Sequence, residues 1–212
     1  ISGDFYDFYT HNDQIYFTLC DVSGKGVNAG MVMARAITLF KIYSKNKFKP
    51  NEIHYEMNND LRQTNPRGVY VTSIVGSYNS QTDIVELSNA GHLPALFKNG
   101  QGFKEYESSS LPLGIKKADN SNEYKLESFK LDNGRLYCFT DGFSECRNDK
   151  GEEIGISGVK DLINNYQNAS LKKELSKIIK DVEGKSIKGQ NFNQNNNDNI
   201  LEDDLTIIGL GK

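Results

Sequence analysis

The chain contains no tryptophan and, in 212 residues, only three cysteines, three histidines and four prolines. The cysteines are odd in number, and Cys20 and Cys138 sit inside strand-like runs, where a reduced thiol packs as a small hydrophobe rather than stapling a secreted scaffold. A reducing, cytoplasmic setting is expected. His11, His54 and His92 are too scattered for the ligand spacing of a zinc site. Excess positive charge is also missing. Lys and Arg total 25 against 28 Asp and Glu, a net charge of -3, which leaves no basic field to recruit nucleic acid or anionic lipid. No apolar stretch approaches the roughly 18 residues that cross a bilayer, and the N-terminus lacks the parts of a signal peptide, so no membrane contact is expected of these residues. The length suits one domain over 1–212. Because the chain opens on Ile1 without a methionine, an upstream regulatory or sensor segment is expected, one that a membrane anchor could precede.

What the sequence does have is a repeated placement of aspartate at the ends of apolar, strand-like runs. Asp4 opens Phe5-Tyr6-Asp7-Phe8-Tyr9, and Asp21 closes Ile15–Cys20. Asp141 closes Arg135–Thr140, and Asp203 with Asp204 opens Leu205–Leu210. If opening and closing strands pair antiparallel, the carboxylates collect on one sheet edge. Asn12-Asp13 is the expected two-residue turn, since both residue types tolerate a positive φ. Counting outward from that turn sets Asp21 directly opposite Asp4. Opposed like charges are destabilising, and a bound cation removes the penalty. Oxygen ligands without a His or Cys cluster point to Mg²⁺ or Mn²⁺. A single Asp beside a strand is commonly just a turn former; the set is harder to dismiss.

The remaining pattern predicts the architecture. Helical spacing links Val27, Met31, Ala34, Ile37 and Leu39 or Phe40, then Ile53, Met57 and Leu61 after a start at Pro50. Strands are predicted over Val69–Tyr78, Ile84–Ser88, Ala95–Phe97, Tyr124–Leu131 and Arg135–Thr140. Two later helices are predicted to be N-capped by Ser157 and Ser170. Paired helices around a strand-rich middle indicate an α+β fold with antiparallel sheets flanked by helices. The Asn-rich stretch 189–199 is expected to be a mobile low-complexity loop.

Two motif readings fail on the residues. Val22-Ser23-Gly24-Lys25-Gly26 leads into a helix as a phosphate-binding loop does, yet it has no Ser or Thr after the lysine and Leu19 where an earlier glycine is required. Lys25 stays a candidate for meeting a substrate phosphate. Ser2-Gly3-Asp4-Phe5 lacks the glutamate of the diguanylate cyclase signature. Asn89-Ala90-Gly91-His92 forms a constrained turn in which His92 is a candidate general acid.

Taken in order, Gly3-Asp4-Phe5-Tyr6-Asp7, Asp21 to Gly26, Asn89 to His92, Pro112-Leu113-Gly114, Thr140-Asp141-Gly142 and Asp203 to Thr206 resemble the PPM-type metal-dependent protein phosphatases, in particular their SpoIIE and RsbU branch. The resemblance implies a four-layer α-β-β-α sandwich with two Mn²⁺ or Mg²⁺ ions in a cleft at the sheet edge. It further implies Asp4, Asp21, Asp141, Asp203 and the Val22 carbonyl as ligands, with Asp21 and Asp141 bridging the metals and holding the attacking water. Asp204 is the alternative to Asp203, since one step of register exchanges their faces. Asp7 and Asn89 are expected to support the site. The implied activity is hydrolysis of a phosphoserine or phosphothreonine on a bacterial signalling protein, specifically an anti-sigma factor antagonist, and a second copy of the chain is a further candidate partner. The rival readings are a silent module that binds a phosphoprotein and a structural metal domain.

Overall fold

The computed structural model describes residues 3–148, 150–166, 169–189 and 204–211, and of 184–189 the backbone alone. The first strands, β1 (Asp4–His11) and β2 (Gln14–Val22), form the predicted hairpin. Asn12 takes a left-handed φ of 51° at the turn, and the register sets Asp4 opposite Asp21. Strands β3 (Val71–Asn79), β4 (Ile84–Ala90) and β7 (Glu127–Lys130) complete an antiparallel sheet of order β1-β2-β3-β4-β7. A second sheet has the order β6-β5-β8-β9, from β5 (Ala95–Asn99), β6 (Gly102–Tyr106), β8 (Arg135–Phe139) and β9 (Ile207–Gly211).

Strand periodicity explains how these sheets stack. Successive side chains point to opposite faces, so in β2 Phe17 and Leu19 face the second sheet while Tyr16, Cys20 and Val22 face helices. In β8, Leu136 and Cys138 meet the first sheet, and Tyr137 and Phe139 turn outward. Helices α1 (Val27–Lys45) and α2 (Pro50–Thr64) cover the first sheet. The second is covered by α3 (Asp141–Ser144), α4 (Gly155–Tyr166) and α5 (Leu171–Gly189). The result is the expected four-layer α-β-β-α sandwich. Its fully buried Phe40, Ile53, Met57, Leu61, Leu87 and Leu96 each stabilise the fold by about 1.5–3 kcal/mol.

Helix α2 follows its sequence signals closely. Pro50 occupies the first turn, and the Lys49 amide donates to Glu52 Oε2 at 2.7 Å, satisfying a donor the helix leaves free. Its buried stripe is Ile53, Met57 and Leu61, as the spacing predicts.

Several expectations need correction. In α1 the buried face is Ala29, Val32, Ala36, Leu39 and Phe40, while Val27 and Met31 stand 70% and 68% exposed. Apolar residues run around this helix, so spacing permits two faces and contact with the sheet selects one. Tyr124 to Leu131 is strand only over Glu127–Lys130; Tyr124 ends a short 3-10 turn and packs in the core. Strand β6 escaped prediction because Gly102-Phe103-Lys104-Glu105-Tyr106 exposes most of its side chains. Ser157 is inside α4 rather than its N-cap, its hydroxyl donating to the Ile154 carbonyl at 3.4 Å. Of the stretch 189–199, Gly189 ends α5 and the rest lies outside the described residues.

Candidate metal centre

The aspartates do not share one sheet edge, as counting along the chain suggests; they come from both sheets, at the end of the sandwich where these meet. Asp4 and Asp21 stand opposite each other on β1 and β2. Asp141 lies two residues past β8 and opens α3, so Thr140, not the aspartate, closes the extended run. Two threonines that sequence reasoning missed fasten the halves together. Thr206 donates its hydroxyl to Asp4 Oδ2 at 3.2 Å. The Thr140 amide donates to the Thr206 carbonyl at 3.0 Å, and the Thr140 hydroxyl also hydrogen-bonds Asp4. Their sequence signal is adjacency: Thr140 directly precedes Asp141, and Thr206 follows Asp204 by two positions.

The electrostatics of Asp4 follow from this crowding. Burial is the largest cause raising Asp4 from the ordinary carboxylate range to about 7; the Thr140 hydrogen bond opposes it, Asp21 raises it further, Thr206 opposes, and Asp141 adds to the rise. Among the described residues, no three carboxylate, imidazole or thiol groups already close around a point as a cation cage. Asp203 lies outside the described residues. Asp204 is described and exposed, and its carbonyl accepts the Thr140 hydroxyl at 3.4 Å.

Two glycines permit this close approach. A Cβ on Gly3 would stand 2.5 Å from the Val22 carbonyl oxygen and 2.8 Å from Asp21 Oδ1. One on Gly142 would stand 2.3 Å from the Asp204 carbonyl oxygen. Gly3 therefore leaves a cradle beside two of the expected ligands, and the Val22 amide donates to the Gly3 carbonyl at 3.1 Å to hold it. The donors at this cradle are all hard oxygens, which fits Mg²⁺ or Mn²⁺.

The other candidates have different surroundings. Asp7 points toward α1, where its Oδ2 lies 3.0 Å from Lys41 Nζ. Lys25 is exposed between Gly24 and Gly26, both at φ near 90°. Asn89 builds the turn after β4: its Oδ1 accepts the His92 amide at 3.0 Å, and its Nδ2 donates to the Leu93 carbonyl at 3.0 Å. His92 is buried with both ring nitrogens engaged. Nε2 lies 3.2 Å from the Phe139 carbonyl and Nδ1 2.7 Å from the Thr72 hydroxyl. Burial lowers its pKa to about 4, with the Phe139 bond opposing. A ring so committed is poorly placed to donate a proton to a leaving group. Cys20 and Cys138 are buried, and that burial pushes each thiol up to about 12, so neither provides a thiolate nucleophile.

A family model described as Stage II sporulation protein E (SpoIIE) matches residues 11–211. The chain belongs to the SpoIIE family. Over 213 aligned residues it is 25% identical to phosphoserine phosphatase RsbU of Bacillus subtilis, covering 99% of this chain and 59% of RsbU. The chain thus spans little more than half the length of that relative. Among solved structures, the SiaA PP2C domain of Pseudomonas aeruginosa matches with a TM-score of 0.80 at 17% identity, covering 100% of this chain and 80% of that one. RsbX in complex with magnesium matches with a TM-score of 0.71 at 15% identity, over 99% of this chain and 84% of that one. The SpoIIE-family chain therefore has the fold of PP2C-type phosphatase domains. No described helix is long and apolar enough to cross a membrane.

Proposed function

We propose that this SpoIIE-family chain is a metal-dependent protein phosphatase acting on phosphoserine or phosphothreonine. The observation that carries the reading is the convergence of Asp4 with Asp21 and Asp141 from two different sheets, with Asp4 driven to about 7. Asp4, Asp21, Asp141, the Val22 carbonyl and Asp203 or Asp204 would hold two Mn²⁺ or Mg²⁺ ions. When bound, such ions activate water at neutral pH and offset charge on the phosphoryl oxygens. The chain's own residues supply the frame. Asp21 and Asp141 orient the attacking water from opposite sheets, the Thr140 and Thr206 hydroxyls fix the Asp4 carboxylate, and Gly3 keeps the cradle open. No side-chain nucleophile is invoked, consistent with the buried thiols.

The substrate reading is narrower. RsbU is named a phosphoserine phosphatase, and we extend that to a phosphorylated signalling protein, an anti-sigma factor antagonist, as the substrate here. Segments beyond these residues, which the longer relatives leave room for, would regulate the site. A catalytically silent binding module is the alternative. The deciding measurement is hydrolysis of p-nitrophenyl phosphate and of a phosphoserine peptide, with Mn²⁺, with Mg²⁺ and with chelator, for the wild type and Asp141→Asn. Metal-dependent turnover lost at least a hundredfold in Asp141→Asn supports the enzyme. Folded protein without metal-dependent turnover on either substrate supports the silent module.

A further inference from the structure

The two halves of the proposed metal centre ride on different sheets, so their separation must be set by something that crosses between the sheets. The Thr206 to Asp4 hydrogen bond crosses, but it uses a carboxylate that a bound cation would itself engage. His92 crosses without using any candidate ligand. Its Nε2 faces the Phe139 carbonyl at 3.2 Å, at the end of β8 and two residues before Asp141. Its Nδ1 lies 2.7 Å from the hydroxyl of Thr72, the residue paired with Asp21 across β2 and β3. A carbonyl can only accept, so Nε2 carries the proton, Nδ1 is the acceptor, and Thr72 donates. One neutral tautomer therefore satisfies both contacts, and the Thr72 hydroxyl also lies 3.5 Å from the Asp21 carbonyl.

The turn bearing the ring is itself fixed. Asn89 Oδ1 holds the His92 amide, and the Gly91 amide donates to Ser108 Oγ at 2.6 Å. His92 is 8% exposed, so most of its surface is spent on packing at this junction.

We propose that His92 is a positioning residue, a neutral strap between Thr72 and the Phe139 carbonyl that sets the spacing of the Asp21 and Asp141 halves of the metal centre. The proposal rests on the reading of those aspartates as metal-holding groups. Groups that orient ligands from behind typically change metal affinity by about 10- to 100-fold when removed.

The test compares wild type, His92→Phe, Thr72→Val and Thr72→Ser. Half-activating Mn²⁺ concentration, kcat at saturating Mn²⁺, the pH–rate profile, Mn²⁺ affinity by calorimetry without substrate, and urea stability are read for each. In His92→Phe the half-activating concentration and the calorimetric Kd are expected to rise about tenfold or more. The kcat at saturating Mn²⁺ stays within a few-fold, and the pH profile keeps its shape. Thr72→Val moves the same way by a smaller factor, and Thr72→Ser, which keeps the hydroxyl, behaves as wild type. An unchanged Mn²⁺ requirement with a large fall in kcat and loss of one limb of the pH profile overturns the proposal in favour of a proton donor. Lower stability with unchanged Mn²⁺ affinity overturns it in favour of simple packing. If His92→Phe fails to fold, the two Thr72 variants decide the matter. Wild type that binds Mn²⁺ without turnover defeats the phosphatase reading alone, and the calorimetric series still judges the strap.

Discussion

Acidification from pH 7.5 to 5.5 should cost the fold about 3 kcal/mol through two buried histidines. His54 is fully buried between α2 and the first sheet, its ring nitrogens each 3.0 Å from a hydroxyl, Ser88 and Ser73. Burial lowers its pKa to about 3, and that of His92 to about 4. Both lie below the ordinary histidine value near 6.5, so the folded state refuses a proton that the unfolded chain accepts. The stabilising contribution is therefore complete above pH 6.5 and is lost as pH falls toward the folded values. Two pH units centred on 6.5 remove about 1.4 kcal/mol per histidine, roughly 3 kcal/mol for the pair. Asp4 acts in the opposite sense. Its raised pKa means that the folded state takes the proton first, so acidification through pH 7 favours folding at that residue. The measurement therefore uses Asp4→Asn in chelator, with urea unfolding followed by circular dichroism at pH 7.5 and 5.5. Adding His54→Gln in that background should remove about half of the pH dependence, whatever it does to absolute stability. A change below about 1 kcal/mol between the two pH values would refute the picture of two neutral, desolvated imidazoles.

Three other outcomes are expected. Gly3→Ala puts a methyl group within 2.8 Å of both the Val22 carbonyl oxygen and Asp21 Oδ1, so it should destabilise the domain by about 1–3 kcal/mol and weaken Mn²⁺ binding, both readable by calorimetry. Because Asp4 titrates near 7, metal binding should release about 0.8 proton from it at pH 6.5 and about 0.1 at pH 8; calorimetry in buffers of different ionisation enthalpy measures the release. Glu174 is fully buried and accepts from Arg135 and from the Tyr137 hydroxyl, the latter at 2.7 Å. Arg135→Leu should cost about 3–5 kcal/mol by stranding that carboxylate, and Arg135→Leu with Glu174→Leu should recover much of the loss in urea unfolding.

Much of the site was legible because it depends on local counting. The turn at Asn12-Asp13 and the period of two across the hairpin suffice to set Asp4 against Asp21. The hydrophobic stripe of α2 was legible for the same reason, its apolar positions repeating every fourth residue on an otherwise polar helix. Helix α1 was not, since apolar residues around its circumference leave the buried face to the sheet beneath it. Strand β6 was missed because an exposed edge strand needs no apolar alternation, only a partner in β5. His92 stood out as a lone histidine in a tight turn, but its neighbours come from positions 20 and 47 residues away. Those contacts give the imidazole a task that chain spacing does not express.

The sequence by itself determined the oxygen-rich character of the candidate site, the hairpin that opposes two of its carboxylates, and most of the order of helices and strands, because each follows from residue type and short-range period. Only the tertiary structure decided that the aspartates come from two sheets rather than one edge. It also decided that Thr140 and Thr206 fasten Asp4, that Asp7 turns away to Lys41, and that His92 is spent on joining Thr72 to Phe139. The physical reason is common to all of these. Which face a strand end presents, and what it meets there, depends on how two separately paired sheets stack, and that stacking is settled by burial of side chains distant in the chain.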